Sequence, residues 1–477
     1  MVFDKVFEQY VKDSPISVMQ RALMENFFSP AKLNGVFHEA AVTQYERELL
    51  FSDVVDAMSL VVGRITPTVR AAYFAKKEIN QMPVSQKALY DKLSNVELTT
   101  SRALVLHTSS QARELIDRMK GQRKPLLSRV NRVVILDGSH PAGTDHRLKV
   151  LRATAAGALP GLALVLLDPQ YMLVDDVVLC ENGHSQERSL LDQVLPSIRK
   201  GDLVIDDRNF CTLAFLAGIH ARKAYFITRQ HGRTPWTPVG KRRYVGRCST
   251  GRVYEQAVIL QNPETKKVWH VRRITVLLAK ATRDGDSEIH LFTNLPATRA
   301  NGVRVAELYR SRWKLEHAFN ELTTHLHCEP NTLGYPKAAL FAYCVALSCY
   351  NLLAAVKGAL RSVHGEKVVE MDVSNYYLAL EIRGVYPGMM IALPPRTWER
   401  FQTTSLKELA NQMCRWAKQT DLTHYPKSPT RPKKPRSPCP NAKFKHVATA
   451  ELLEKEREKQ RKEHRRKAKL RMAKSGP

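Results

Sequence analysis

Between residues 130 and 230 the chain repeats one pattern, a short apolar run that stops at an acidic or turn residue. Arg132-Val133-Val134-Ile135-Leu136 ends at Asp137-Gly138, the run 162–167 ends at Asp168-Pro169, and 172–179 follows as a further strand. Leu203-Val204-Ile205 ends at Asp206-Asp207, and 224–228 closes the series. Runs this short and apolar are typical of strands buried on both faces of an α/β sheet. The stretches 185–198, up to the turn at Lys200-Gly201, and 210–220 read as helices between them. Ligand-binding residues collect at the carboxyl ends of such strands. Asp137 and the Asp206-Asp207 pair are therefore candidate site residues, although a strand-end Asp often only caps the next helix.

A third carboxylate lies further on. At about 100° per residue, Leu308, Leu315, Phe319, Leu322 and Leu326 form the apolar stripe of a single helix. Tyr309, Arg312 and Glu316 fall within roughly 60° of one another along its edge. A carboxylate, a guanidinium and a phenol there suit an acid that holds a metal, flanked by two groups that grip a phosphate. An ordinary amphipathic helix with a solvated edge has the same pattern. Three carboxylates on separate elements can converge on hard divalent cations, which prefer oxygen ligands. Two such ions can activate a nucleophile and stabilise the leaving oxygen of a phosphodiester.

The charge balance points to a polyanion. Lys and Arg number 74 against 46 Asp and Glu, a net charge of +28. Such an excess is costly in self-repulsion unless neutralised, which favours nucleic acid over an anionic membrane surface. Eight scattered cysteines form no Cys-x-x-Cys pair, against a zinc site. No secretory signal opens the chain, so a reducing, cytoplasmic setting without structural disulfides is expected. Residues 338–356 carry no charge and match a bilayer span in length. They also hold Tyr343, Ser348, Tyr350 and Asn351 and read as a buried core helix, with no membrane contact.

Asp137-Gly138-Ser139, Asp207-Arg208-Asn209-Phe210 and Tyr309-x2-Arg312-x3-Glu316 together resemble the Asp-Asp-Glu transposases of bacterial insertion sequences. They are most similar to the IS-four family, whose third motif is Tyr-x2-Arg-x3-Glu-x6-Lys. Tyr350-Asn351-Leu352-Leu353 resembles the helix that follows the catalytic Glu in that family. The resemblance covers roughly residues 1–360 and is sharp from about 130 onward. It implies an α/β, ribonuclease H-like catalytic domain split by a β-strand insertion between the second Asp and the Glu. It also implies catalysis and metal ligation by Asp137, Asp207 and Glu316, with Mg2+ as the ion and Mn2+ able to replace it. DNA phosphate contacts at Tyr309 and Arg312 follow from it, and so does the choice of Asp207 over Asp206, through the Asp-Arg pair that includes Arg208. The family's Lys position is Thr323 here, an uncharged departure, with His327 one turn further on the same face.

The domain organisation expected is a helical, DNA-binding region over 1–128, including a possible DNA-binding helix at 85–93, and a catalytic domain over 129–360. A β-rich insertion at about 230–297 interrupts the latter, with strands at 252–260, 268–279 and 288–295. In it Trp236, near Arg233, Lys241, Arg242 and Arg243, could stack an unpaired base or simply fill a local β-core. A mixed region covers 361–425. Residues 426–477, rich in Pro, Ser and charge, form a basic arm, disordered or transiently helical, that would grip DNA without sequence preference. The function expected is cleavage of element ends in double-stranded DNA and their transfer to target DNA, by a homodimer assembled on DNA in the bacterial nucleoid. A ribonuclease H-like nuclease without strand transfer, and a catalytically inactive, domesticated DNA-binding protein, are the alternatives.

Overall fold

The structure is a computed structural model that describes residues 2–44, 47–141, 148–154, 156–282, 285–428 and 446–474. The side chains of residues 2–4, 315, 317, 320–323 and 470–474 lie outside that description. Its centre is one large mixed sheet. The strands in chain order are β1 (Arg132–Ser139), β2 (Ala158–Leu159), β3 (Leu162–Asp168), β4 (Leu173–Cys180), β5 (Asp202–Asp206) and β6 (Tyr225–Arg229). They continue as β7 (Thr237–Pro238), β8 (Arg243–Cys248), β9 (Gly251–Gln261), β10 (Val268–Leu278), β11 (Glu288–Thr293) and β12 (Val447–Ala448). The sheet runs β4-β3-β1-β5-β6-β11-β10-β9-β7, with β8 also on β9. β3 is antiparallel to both β1 and β4, while β1, β5 and β6 are parallel. β11 joins β6 antiparallel, so the strands between 237 and 293 continue the same sheet rather than stand apart from it.

Side-chain alternation explains why these strands are so apolar. Val133, Ile135, Val165, Leu203, Ile205 and Ile227 face one core, shared with the helices of the amino-terminal region and Pro336–His364. Val134, Leu136, Leu164, Leu166, Val204 and Phe226 face a second core, closed by Phe215, Leu216 and Ile219 of the helix Leu213–Ala221. A sheet covered on both faces needs apolar residues at successive positions.

The helix Pro336–His364 is long and apolar enough to cross a membrane by composition, yet its apolar window is wholly buried inside the protein. It packs along Leu98–Met119 and touches Phe51–Val62 and Leu406–Gln419. Contact with the first is close because a Cβ on Gly121 would meet the backbone of Gly358. Asn351 reaches from this helix to the edge strand β4. Its Oδ1 accepts from the Val174 N–H at 2.8 Å and its Nδ2 donates to the Val174 carbonyl at 3.0 Å. The edge groups that would otherwise attract another strand are thereby occupied.

At the end of the sheet where β1 and β5 begin, buried ions are paired. Arg113 bridges Asp168 (2.9 Å) and Asp175 (2.6 Å), and Arg132 bridges Asp175 (2.6 Å) and Asp202 (2.6 Å). These acids are structural, and the strand-end Asp168 is one of them.

Four sequence expectations change. The helix expected at 185–198 is a chain of short turns, Glu187–Leu190, Leu191–Val194 and Leu195–Ser197, where Pro196 supplies no N–H to a continuing helix. The region 361–425 is not mixed: Glu366–Asp372, Asn375–Ala392, Arg396–Glu399 and Leu406–Gln419 are all helical. The arm expected to lack fixed structure is ordered over 446–474. There β12 pairs parallel to β2, Thr449 is buried, and Thr449–Lys474 is one helix whose Glu451 accepts from Asn182 at 3.1 Å. Its Glu and Lys residues four apart, without Gly or Pro, support that helix. Residues 429–445 lie outside the described residues. Finally, the helix carrying Glu316 is broken, as described next.

Candidate active site

The register of two parallel strands places the first two carboxylates. Ile135 of β1 lies opposite Ile205 of β5, so two residues further on Asp137 and Asp207 come at the same, carboxyl ends of neighbouring parallel strands. Gly138 follows Asp137 and lies directly against the Glu187 carboxylate. The Asp137 carboxylate also accepts from the Gly138 N–H at 3.0 Å.

Of the adjacent acids, Asp206 ends β5 fully buried, opposite Thr228, and neither carboxylate oxygen has a hydrogen-bond partner among the described residues. Burial pushes its carboxyl well above the usual range. Asp207 stands past the strand end at the start of the turn Arg208–Phe210, half-buried, and accepts from the Tyr309 hydroxyl at 3.3 Å.

The third acid comes from two consecutive helices rather than one. Gly302–Arg310 begins at Asn301, whose side chain accepts from the Arg304 N–H, and ends in tight turns. Ser311 and Arg312 donate to the carbonyls three residues back, at 2.9 and 3.0 Å. Trp313–His325 then carries Glu316. Ser311 and Arg312 keep right-handed helical dihedrals, so Tyr309, Arg312 and Glu316 still face one way. The Arg312 guanidinium lies between the carboxylates, with Nη1 3.0 Å from Asp137 Oδ2 and Nη2 2.7 Å from Glu316 Oε1. Its side chain is only 12% exposed, against 20% for Asp137 and 35% for Glu316.

The electrostatics are those of acids crowded around Arg312. Burial raises the Asp137 carboxyl to about 6; Arg312 and the Gly138 N–H pull it down, while Asp207 and Glu316 push it up. Burial alone would lower the Arg312 pKa, but Tyr309, Asp137, Asp207 and Glu316 together raise it. Burial and the Asp207 charge raise the Tyr309 phenol. Asp137, Asp207 and Glu316 thus act on one guanidinium.

The structure sets Tyr309 and Arg312 inside the site rather than on its rim: Tyr309 is buried, and both are engaged by carboxylates. Arg208 is exposed beside Asp207. It lies with Arg188 and Arg233 around His231, whose pKa falls through burial and then through these three cations. Trp236 is half-buried against the second core, and its close cation is Arg273, 4.6 Å above the ring. The Thr323 side chain lies outside the described residues. The helix Gln86–Asn95 uses Leu89 and Leu93 for packing. Sequence reasoning missed Glu187, which approaches Gly138 and accepts from Asn209 at 3.3 Å. The adjacent Asp207-Arg208-Asn209 motif was its only signal.

Which group could hold a metal follows from this charge. Asp137, Asp207 and Glu316 are hard oxygen donors, and a divalent cation would offset the negative cluster that Arg312 offsets here. Among the described residues no three metal-ligating side chains stand close enough to share an ion. The guanidinium takes the place between Asp137 and Glu316.

Residues 128–352 match the family model for the transposase DDE domain. All three acids fall within the matched span. A protein of Sinorhizobium fredii (strain NBRC 101917 / NGR234), named "Putative transposase y4zB", is 28% identical over 160 residues. That match covers 33% of this chain and 43% of the relative, so this chain spans less than half of the relative's length. Among solved structures, a piggyBac transposase synaptic complex with hairpin DNA covers 83% of this chain and 84% of its own, at 12% identity and a TM-score of 0.36. A likeness that slight fixes no residue's arrangement here.

Proposed function

We propose that this protein is a transposase of the IS-four type, with a ribonuclease H-like catalytic domain. It cuts the ends of an insertion sequence in double-stranded DNA and joins them to target DNA. The observation that carries the reading is the meeting of Asp137, Asp207 and Glu316 around Arg312 within a matched transposase DDE domain. The mixed sheet β4-β3-β1-β5-β6, with strands inserted between Asp207 and Glu316, supports the reading.

In this reading Asp137, Asp207 and Glu316 hold Mg2+, with Mn2+ able to replace it. Transposase DDE domains generally depend on divalent metal, which activates the attacking oxygen and stabilises the leaving one. Tyr309 holds the Asp207 carboxylate in place through its hydroxyl. Arg312 holds Asp137 and Glu316 together and contacts a DNA phosphate only by giving up one of them; a bidentate fork suits that exchange better than an ammonium would. Arg208, with Arg188 and Arg233, offers exposed cations to the DNA backbone beside Asp207. Trp236 is the aromatic available to an unpaired base. The protein works as a homodimer that brings two element ends together, in the bacterial cytoplasm on the nucleoid.

The test first seeks inverted repeats flanking the gene and then uses labelled DNA that bears them. Asp137→Asn, Asp207→Asn and Glu316→Gln are each expected to abolish end cleavage in Mg2+ while DNA binding stays within a few-fold of the native protein. Cleavage that survives any of the three substitutions overturns the assignment of that residue. Loss of cleavage with no strand transfer by the native protein would leave a nuclease in its place.

A further inference from the structure

Behind the helix Trp313–His325 the structure holds a second cavity, of about 790 Å³, which the proposed reaction does not use. Glu316 and Lys314 are two residues apart, about 200° around a helix, so Lys314 points away from the carboxylates. It lines this cavity together with Lys357 and Arg361 of the core helix, Arg123, and Lys427. Among the described residues the lining sets one carboxylate, Glu370, against these five cations. Glu370 is itself committed, to Arg361 at 3.1 Å and to Arg123 at 3.6 Å. Glu366, just outside, is 3.6 Å from Arg123.

Arg361 is the informative member. Its side chain is 1% exposed, its Nε donates to the Gly121 carbonyl at 2.7 Å and its Nη1 meets Glu370. Its Nη2 is buried and has no hydrogen-bond partner among the described residues. A buried guanidinium N–H without an acceptor is costly, and an anion seated in the cavity would supply one. The Oδ1 of Asn375 and the Nδ1 of His325, also on the lining, are likewise buried without partners. Tyr350, Tyr376 and Tyr377 add aromatic groups to a wall that also holds Met172, Leu353 and Val373. Tyr376 and Tyr377 meet edge to face at 5.3 Å, and His325 lies 5.8 Å from Tyr376. A cavity of this size with convergent cations and tyrosine rings on one side suits a ligand with a phosphate and a planar base.

We propose that this cavity binds the phosphate of a nucleotide, with the base against Tyr376 and Tyr377. The nucleotide comes either from a DNA strand end or from the free pool, since both present the same phosphate and base. The site is separate from the three acids and stands whether or not they are catalytic.

The test is binding to the full-length protein, by calorimetry and by thermal shift. The probes are dAMP, deoxyadenosine, inorganic phosphate as competitor, and a short 5′-phosphorylated single-stranded oligonucleotide. Binding of dAMP with displacement by phosphate is expected, with deoxyadenosine at least tenfold weaker. Lys314→Gln combined with Lys427→Gln should weaken dAMP at least tenfold. Arg361→Gln risks the fold through its bond to Gly121, so the lysine pair carries the test. Asp137→Asn should leave dAMP binding unchanged, which separates this cavity from the acidic site. Oligonucleotide binding much tighter than dAMP, and lost in the lysine pair, assigns the site to a strand end; the reverse order assigns it to the free nucleotide. No phosphate-dependent binding, or binding unmoved by the lysine pair, overturns the proposal.

Discussion

At Asp137, position and charge work against each other. The carboxyl sits at about 6 rather than 3.8 because burial favours its neutral form. The folded state therefore holds the proton more tightly than the unfolded chain does, and stability falls as pH rises from about 4 to about 6. A shift of about two units corresponds to roughly 3 kcal/mol at 1.4 kcal/mol per unit. Asparagine has nearly the same shape and does not ionise. Asp137→Asn should melt at the native temperature near pH 4 and above it at pH 7.5, as scanning calorimetry would record. Mg2+ at pH 7.5 should then raise the melting temperature of the native chain and leave the variant unmoved. A variant less stable at both pH values would show that the Asp137–Arg312 bond outweighs burial. Arg312→Ala makes the complementary case: three acids lose their cation, and removing one partner of a buried pair costs about 3–5 kcal/mol. Early melting at pH 7.5 in EDTA, restored by Mg2+, is expected. Early melting that Mg2+ does not restore would make Arg312 a purely structural pair.

At the scale of elements, the carboxyl-terminal helix separates grip from fold. From His464 to Lys474 its charges are all basic, while its acids lie nearer the anchored end at Glu451. Over residues 457–469 it is exposed, and it follows β12, which pairs with β2. Deleting 449–477 should weaken binding to duplex DNA and flatten its dependence on salt, because each lost phosphate contact removes about one unit of slope. The melting temperature should hold within a few degrees; a larger fall would make the helix part of the core. The sheet strands were legible because burial on both faces leaves no other composition open to them. Tyr309, Arg312 and Glu316 were legible as a set because helical spacing survives the break at Ser311. The break itself was not, since nothing in Arg310-Ser311-Arg312 forbids a continuous helix; the pull of Asp137 on Arg312 comes from a residue 175 positions away. Glu187 and the cationic cavity were invisible for the same reason. Their members, such as Arg123 and Lys427, are remote in sequence and are ordinary charged residues one at a time.

Across the whole molecule, one core runs from Phe7 to Tyr425, through the amino-terminal helices, the sheet and the helices after residue 365. Glu381 shows the span. One oxygen takes both the N–H and the hydroxyl of Ser17, 364 residues earlier, at 2.9 and 2.8 Å, and the other takes the Tyr425 hydroxyl. During synthesis, then, the earliest helices wait with their apolar faces uncovered until almost the entire chain has left the ribosome. Contacts this distant in sequence make folding slow and expose intermediates to aggregation. A product stopped near residue 365 would keep Asp137, Asp207 and Glu316 but lack the cover for its first helices. Expressed alone, residues 1–365 should be insoluble or rapidly degraded, whereas residues 1–428 should be soluble, as fractionation and limited proteolysis would show. Premature termination near residue 365 would then leave the cell with no lingering fragment to compete for the same DNA, because the helices that follow are what protect the first ones.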